Sequence, residues 1–231
     1  MERPRWFPDE LDLAGQEHLD PAYAAGFERK SGGWAEDDVR LLLELGLDAD
    51  STLVDLGAGP GTLALLAVPH ARRVVAVEPS PAMLSILRDR AAASGGLEVV
   101  NAGFLTYEHT GSPADVVYSR NALHHLPDFW KTVALARIRA IIRPGGIFWL
   151  RDVVYAFEPA ETESSLEAWF AGAAADPAEG FTRADLEEHV REEHSTFSWL
   201  LEPMLERTGF EIVDKEPSSS RTFASYVCRA V

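Results

Sequence analysis

The chain has 231 residues, of which 46% are hydrophobic and 10% aromatic, and this composition excludes a disordered or low-complexity protein. Its formal net charge of −16 argues against nucleic acid and anionic membrane surfaces as partners. The single cysteine, Cys228, excludes an internal disulfide and a multi-cysteine metal site. Because no signal peptide and no run of 18 apolar residues is present, a cytoplasmic location is expected.

The first predicted elements are an arm, a helix and a strand. Residues 1–33 are expected to form an N-terminal arm, with a short helical stretch at Pro21–Lys30. Apolar residues at helical spacing from Glu36 to Leu45 predict a helix that ends at Gly46. The apolar run Thr52–Gly57 then predicts a fully buried strand.

Strands and helices alternate through the following hundred residues. Further strands are predicted at Arg72–Ser80, Leu97–Phe104, Ala114–Asn121 and Gly145–Val154, and helices at Thr62–Ala67, Pro81–Ala93 and Trp130–Ile142. Such alternation specifies a parallel sheet with helices on both faces. Residues 34–155 are therefore predicted to form a doubly wound ligand-binding core.

The pattern changes after this core. Glu158–Glu193 contains eleven acidic and two basic residues, and it predicts a helical insertion, residues 156–209, that covers the sheet edge as a lid. Residues 210–231 contain two strand patterns separated by four residues, which indicates an antiparallel hairpin. The predicted fold is one α/β domain with a mostly parallel, seven-stranded sheet.

A glycine-rich segment, VDLGAGPGT, joins the first strand to the next helix. Gly57, Gly59 and Gly61 let the backbone approach a ligand closely, because no Cβ stands in the way. A dinucleotide-binding fingerprint needs a glycine at the position of Thr62, so an NAD(P)-dependent oxidoreductase is the less favoured interpretation.

Two carboxylates lie beside these glycines. Glu78 ends the second strand, where a carboxylate can accept hydrogen bonds from both hydroxyls of a ribose. Asp55 lies in the first strand, where a buried charge needs a cationic partner such as an amino-acid ammonium. A ligand with a nucleoside at one end and an amino acid at the other is S-adenosylmethionine.

With the motifs VDLGAGPGT, VVAVEPSPAML and RPGG, the chain resembles the class I S-adenosylmethionine-dependent methyltransferases, closely over residues 34–155 and more loosely to Val231. The resemblance implies a Rossmann-like fold and release of S-adenosylhomocysteine as product. The resemblance also implies which residues bind the cofactor. Glu78 would contact the ribose, and Pro79 and Met83 the adenine. The methionine part would be contacted by Asp55, Gly57, Ala58 and Gly59.

The resemblance is incomplete after the third strand. The family often has an aspartate there that meets the adenine amino group, but this chain has Gly103 followed by Phe104. We expect a backbone contact from Gly103 and packing by Phe104 instead.

The segment after the fourth strand, SRNALHHLPD, resembles that of methyltransferases that act on small molecules. His124 and His125 are the candidate general bases, and at most one of them is expected to face the methyl group. Arg120 and Asn121 are expected to bind the cofactor carboxylate or an acidic substrate.

Further candidates come from the sheet edge and the arm. Arg151 and Asp152, at the end of the fifth strand, and Tyr23, in the arm, are predicted to line the substrate side of the site. The predicted function is methyl transfer to a small molecule by in-line displacement, without a metal ion. A protein that binds S-adenosylmethionine without catalysis is the alternative interpretation.

Overall fold

The computed structural model describes residues 4–15 and 33–231. The predicted helical stretch Pro21–Lys30, and Tyr23 within it, lie outside the described residues. The described strands are β1 (Thr52–Leu56), β2 (Arg73–Val77), β3 (Leu97–Val100), β4 (Ala114–Arg120), β5 (Ile142–Tyr155), β6 (Thr196–Phe197), β7 (Phe210–Pro217) and β8 (Phe223–Ala230). The described helices are α1 (Glu10–Leu13), α2 (Ala35–Glu44), α3 (Thr62–Ala67), α4 (Pro81–Ser94), α5 (Asp128–Ile141), α6 (Thr162–Ala171), α7 (Arg183–Glu192) and α8 (Ser198–Arg207).

One mixed sheet organises these elements in the strand order β3-β2-β1-β4-β5-β8-β7. Strands β1 to β5 pair in parallel, whereas β8 runs antiparallel to both β5 and β7. The short strand β6 pairs with the end of β5. The predicted doubly wound sheet with an antiparallel edge hairpin is therefore confirmed.

Helices cover both faces of the sheet, because neighbouring residues of a strand point to opposite sides. On one face Leu53 of β1 belongs to the same apolar cluster as Leu63 of α3. On the other face Val54 shares a cluster with Leu135 of α5 and Leu205 of α8. Both strand residues are completely buried, which explains why these two neighbouring positions are both apolar.

Several strand boundaries differ from the predictions, and two of the differences have a local cause. Strand β5 begins at Ile142, because the predicted loop before Gly145 continues the pairing with β4 through an irregular register. Strand β3 ends at Val100, since the following residues form a turn in which the carbonyl of Gly103 accepts from Tyr107 N at 3.0 Å. Both differences arise from local hydrogen bonding that apolar periodicity does not reveal.

A helical insertion is present between β5 and β7, as predicted. A capping box lies at the start of α7, where Thr182 Oγ1 accepts from Asp185 N and the Asp185 carboxylate accepts from Thr182 N. In the described part of the chain, no helix is both long enough and apolar enough to span a bilayer.

Candidate active site

A cavity of about 260 Å³ opens at the carboxyl ends of β1, β2 and β4. All eleven residues that the sequence predicts for the cofactor line this cavity, and His125 lines it with them. The strand order changes direction at β1, because the strands that follow it in sequence lie on opposite sides of it, β2 on one side and β4 on the other. Ligands of open α/β sheets bind at such switch points.

The glycine-rich turn forms one wall of the cavity. Gly57 has a φ of +75°, and a Cβ there would overlap the Cβ of Ala122. Gly59 has a φ of +55°, and a Cβ there would meet no atom within 4 Å. The first glycine is therefore required by packing, while the second leaves its side open to a ligand.

Glu78 lies at the end of β2 and is 6% exposed. Its two carboxylate oxygens accept from Gly59 N at 2.8 Å and from Ser80 N at 2.7 Å. Burial raises the pKa of Glu78 above its usual value, although the two backbone hydrogen bonds oppose the change. Because each carboxylate oxygen has a second lone pair, this fixed group can still accept from two ligand hydroxyls.

Asp55 is 2% exposed in β1. Burial, reinforced by the nearby carboxylates of Glu78 and Asp38, raises the pKa of Asp55 to about 8. The side chain accepts a backbone hydrogen bond from Ala64, and among the described residues no cation lowers this pKa. A ligand ammonium at the cavity would therefore favour the ionised carboxylate.

Hydrogen bonds connect the end of β4 to helix α2. Asp38 of α2 accepts from Tyr118 Oη at 2.6 Å and from Arg120 Nη1 at 2.8 Å, and the guanidinium of Arg120 lies 4.2 Å from the ring centre of Trp34. Arg120, predicted to bind a carboxylate, thus already has one carboxylate partner. Its buried Nε has no hydrogen-bond partner among residues 4–15 and 33–231.

Asn121 follows β4 in an unusual conformation. Its φ is +49°, a region that asparagine adopts more readily than most residues. Its N–H donates to Arg151 O at 2.8 Å, and its buried Oδ1 has no partner in the structure. This turn directs the chain from β4 into the two histidines.

The two histidines occupy different environments. His124 is buried, and both its backbone N–H and its Nδ1 bind the carboxylate of Asp152 at the end of β5. Its ring also lies 5.0 Å from that of His189 in α7. Burial, together with the charge of His124, lowers the pKa of His189 to about 3. Neither His124 nor Asp152 is among the residues that line the cavity.

His125 faces the cavity, and Glu193 holds its ring. His125 Nδ1 lies 2.8 Å from Glu193 Oε2, just beyond the end of α7. Burial opposes ionisation of Glu193, but the hydrogen bond and charge of His125 outweigh it and lower the pKa of Glu193 to about 2. An ionised Glu193 accepts the Nδ1 proton, so the lone pair of the neutral ring lies on Nε2.

Some site residues were not found by sequence reasoning. Glu193 and Asp38 hold the predicted His125 and Arg120, and Glu10 of α1 also lines the cavity. Glu193 is 68 positions from its partner, and Asp38 is 82 positions from its partner. No spacing rule connects residues so far apart.

Other predicted residues lie away from the cavity. Arg151 does not line the cavity, and its guanidinium lies over the ring of Phe223 at 5.6 Å. Within residues 4–15 and 33–231, one group of potential metal ligands is found, formed by His124, His125 and Glu193, whose ligand atoms lie within 4.8 Å of one another. Carboxylates already engage the Nδ1 atoms of both histidines.

The chain matches a family model described as a methyltransferase domain over residues 53–146. An uncharacterised methyltransferase of Geobacillus kaustophilus is 28% identical over 207 residues, which cover 85% of this chain and 90% of that protein. In sequence, this chain is therefore similar to methyltransferases. The buried carboxylates and the open glycine turn fit the amino-acid and ribose parts of S-adenosylmethionine.

Solved structures share the fold of this chain. The N-methyltransferase NodS of Bradyrhizobium japonicum, solved with S-adenosyl-L-homocysteine, is similar with a TM-score of 0.60 and 15% identity, covering 96% of this chain and 95% of NodS. The [4+2]-cyclase SpnF is similar with a TM-score of 0.62 and 18% identity, covering 86% of this chain and 83% of SpnF. At these identities the likeness concerns the fold alone.

Proposed function

We propose that this protein transfers the methyl group of S-adenosylmethionine to a small-molecule acceptor, with His125 as the general base. The observation that carries the proposal is the pair formed by His125 and Glu193. His125 lines the same cavity as Asp55 and Glu78, and Glu193 holds its Nδ1. The base thus stands at the edge of the cofactor cavity.

The chain's residues bind and orient the cofactor. Asp55 faces the ammonium, Glu78 accepts from the ribose hydroxyls, and the open side of Gly59 admits the methionine part. When bound, the cofactor supplies a sulfonium-activated methyl group and a neutral leaving group. The main task left to the protein is to align the acceptor and exclude water.

His125 removes the acceptor's proton. His125 Nε2 accepts the proton of an acceptor O–H or N–H while that oxygen or nitrogen forms its bond to the methyl carbon and the carbon–sulfur bond breaks. Glu193 stabilises the imidazolium that results, and a positioned base of this kind contributes roughly 10²- to 10⁴-fold to the rate.

Residues 156–209 act as a lid in this proposal. They supply Glu193, and Trp169 of α6 contacts His189 with ring centres 5.8 Å apart. Because the carboxylate that holds the base comes from the lid, the catalytic pair is complete only when these helices cover the sheet edge. Their excess of acidic residues repels polyanions, which favours a small acceptor over nucleic acid.

The test uses cofactor labelled in the methyl group. The protein is incubated with a low-molecular-mass metabolite extract and, separately, with RNA and protein of the same cells. We expect label in the small-molecule fraction, and a loss of about 10²-fold or more in His125→Gln with unchanged affinity for S-adenosylhomocysteine. His70→Gln, which changes an exposed histidine outside the cavity, is the matched control.

Each other outcome contradicts a defined part of the proposal. Label in RNA or protein would contradict the small acceptor. Full activity in His125→Gln would contradict the base. Binding of S-adenosylhomocysteine without transfer to any fraction would favour a non-catalytic cofactor-binding protein.

A further inference from the structure

Glu10 places a carboxylate inside the cofactor cavity from outside the sheet. It begins helix α1, whose preceding residue Asp9 accepts from Leu11 N at 3.1 Å, and it is only 7% exposed. Its Oε1 accepts from Leu105 N at 2.8 Å, across 95 positions of sequence. Its Oε2 is buried and has no hydrogen-bond partner in the described part of the chain.

The carboxylate of Glu10 occupies the space that a side chain at position 103 would fill, because that residue is glycine. Gly103 follows β3, and a Cβ there would overlap Glu10 Oε1 and lie 2.6 Å from its Cδ. The N–H of Gly103 is donated to Thr106 Oγ1 at 2.9 Å. The backbone N–H contact expected from Gly103 is therefore engaged within the loop, and the nearest polar group at this position is the carboxylate of Glu10.

The unpaired oxygen needs a donor. A buried carboxylate oxygen without a hydrogen bond is costly, and no donor of the described residues supplies one. Glu10 lines the same cavity as Asp55 and Glu78. A hydrogen-bond donor on a ligand in this cavity therefore removes the cost.

The order of the strands indicates which part of the ligand supplies this donor. Asp55 ends β1, Glu78 follows β2, and Gly103 follows β3, in the order in which these strands lie side by side. Neighbouring strands are about 4.8 Å apart. A ligand with its ammonium at Asp55 and its ribose at Glu78 thus reaches Glu10 with its base, and the donor of adenine is the exocyclic amino group.

We propose that Glu10 accepts a hydrogen bond from the adenine amino group and so selects adenosyl ligands. The inference rests on the proposed placement of the cofactor. It assigns to the N-terminal segment a carboxylate contact that Gly103, which has no side chain, does not supply. Leu105 N fixes the carboxylate, and the missing side chain of Gly103 makes room for it.

Calorimetry with two ligands tests the proposal. S-Adenosylhomocysteine carries the amino group, whereas S-inosylhomocysteine has a carbonyl oxygen in its place. In Glu10→Gln the amide oxygen can keep the bond from Leu105 N, which turns the amide NH₂ towards the ligand. We expect S-adenosylhomocysteine to bind about tenfold or more weakly, since a hydrogen bond to a charged group is lost, and S-inosylhomocysteine to bind no more weakly.

Asp12→Asn, which removes an exposed carboxylate of the same helix, should leave both affinities unchanged. Equal weakening of both ligands by Glu10→Gln would overturn the proposal, because a merely structural role affects both alike. Unchanged affinities would overturn it as well. If the wild-type protein bound neither ligand, the placement of the cofactor itself would be refuted.

A relocated carboxylate gives a second test. Gly103 lies outside the left-handed region, so its backbone accepts an aspartate once Glu10 is shortened. Glu10→Ala should lose affinity for S-adenosylhomocysteine, and the double variant Glu10→Ala/Gly103→Asp should recover most of the loss. A double variant that binds no better than Glu10→Ala, while its unfolding midpoint equals that of Glu10→Ala, would contradict the proposal.

Discussion

Replacing Asp55 with asparagine should stabilise the cofactor-free protein at neutral pH. The carboxyl group is 2% exposed, and burial raises its pKa from 3.8 to about 8. In the unfolded chain the group ionises first as the pH rises, so wild-type stability decreases between about pH 4 and pH 8. At about 1.4 kcal/mol per pKa unit, the decrease contributed by Asp55 reaches up to about 4 kcal/mol at pH 7.

Asparagine does not ionise, and its side-chain oxygen can keep the hydrogen bond from Ala64. The variant should therefore match the wild type below about pH 4 and exceed it increasingly towards pH 8. The assay is urea unfolding at a series of pH values without cofactor. The same substitution removes the anion that faces the ligand ammonium, so affinity for S-adenosylhomocysteine should decrease.

The control is Asp50→Asn, an exposed carboxylate just before β1. This variant should follow the wild-type pH profile. A difference in stability between Asp55→Asn and the wild type that did not change with pH would refute the reasoning. A variant less stable than the wild type at pH 8 would refute it as well.

Three further outcomes follow from the site. Glu193→Gln should reduce turnover about tenfold or more with unchanged affinity for S-adenosylhomocysteine, because an uncharged amide stabilises the imidazolium less; equal turnover would contradict the role of Glu193. Glu78→Ala should weaken S-adenosylhomocysteine binding about tenfold or more by calorimetry; unchanged binding would contradict the ribose contact. Turnover should survive EDTA, since carboxylates engage both histidine Nδ1 atoms; metal-dependent recovery would identify a metal at His124, His125 and Glu193.

The sheet and the glycine turn could be predicted because their causes are local in sequence. A strand buried on both faces is mainly apolar without alternation, as β1 is apart from Thr52 and Asp55. A turn with positive φ at Gly57 and Gly59 needs glycine. The ends of adjacent parallel strands lie together, so the positions of Asp55 and Glu78 followed from the predicted topology.

The partners of the site residues could not be predicted, because they arise from tertiary contacts. Asp38, Glu193 and Glu10 are ordinary acidic residues of exposed-looking helical segments. Each meets its partner only because its segment packs against the sheet edge, at sequence separations of 82, 68 and 95 from that partner. Which of the two histidines faces the cavity could not be predicted for the same reason. His124 is bound to Asp152, whereas His125 lines the cavity.

The crystal structure of the complex with S-adenosylhomocysteine tests the central claim most directly. The account predicts the ligand amine at Asp55, the ribose hydroxyls on Glu78, the adenine amino group on Glu10 and the sulfur towards His125. A ligand bound in the reverse direction, or with its sulfur turned away from His125, would contradict the account.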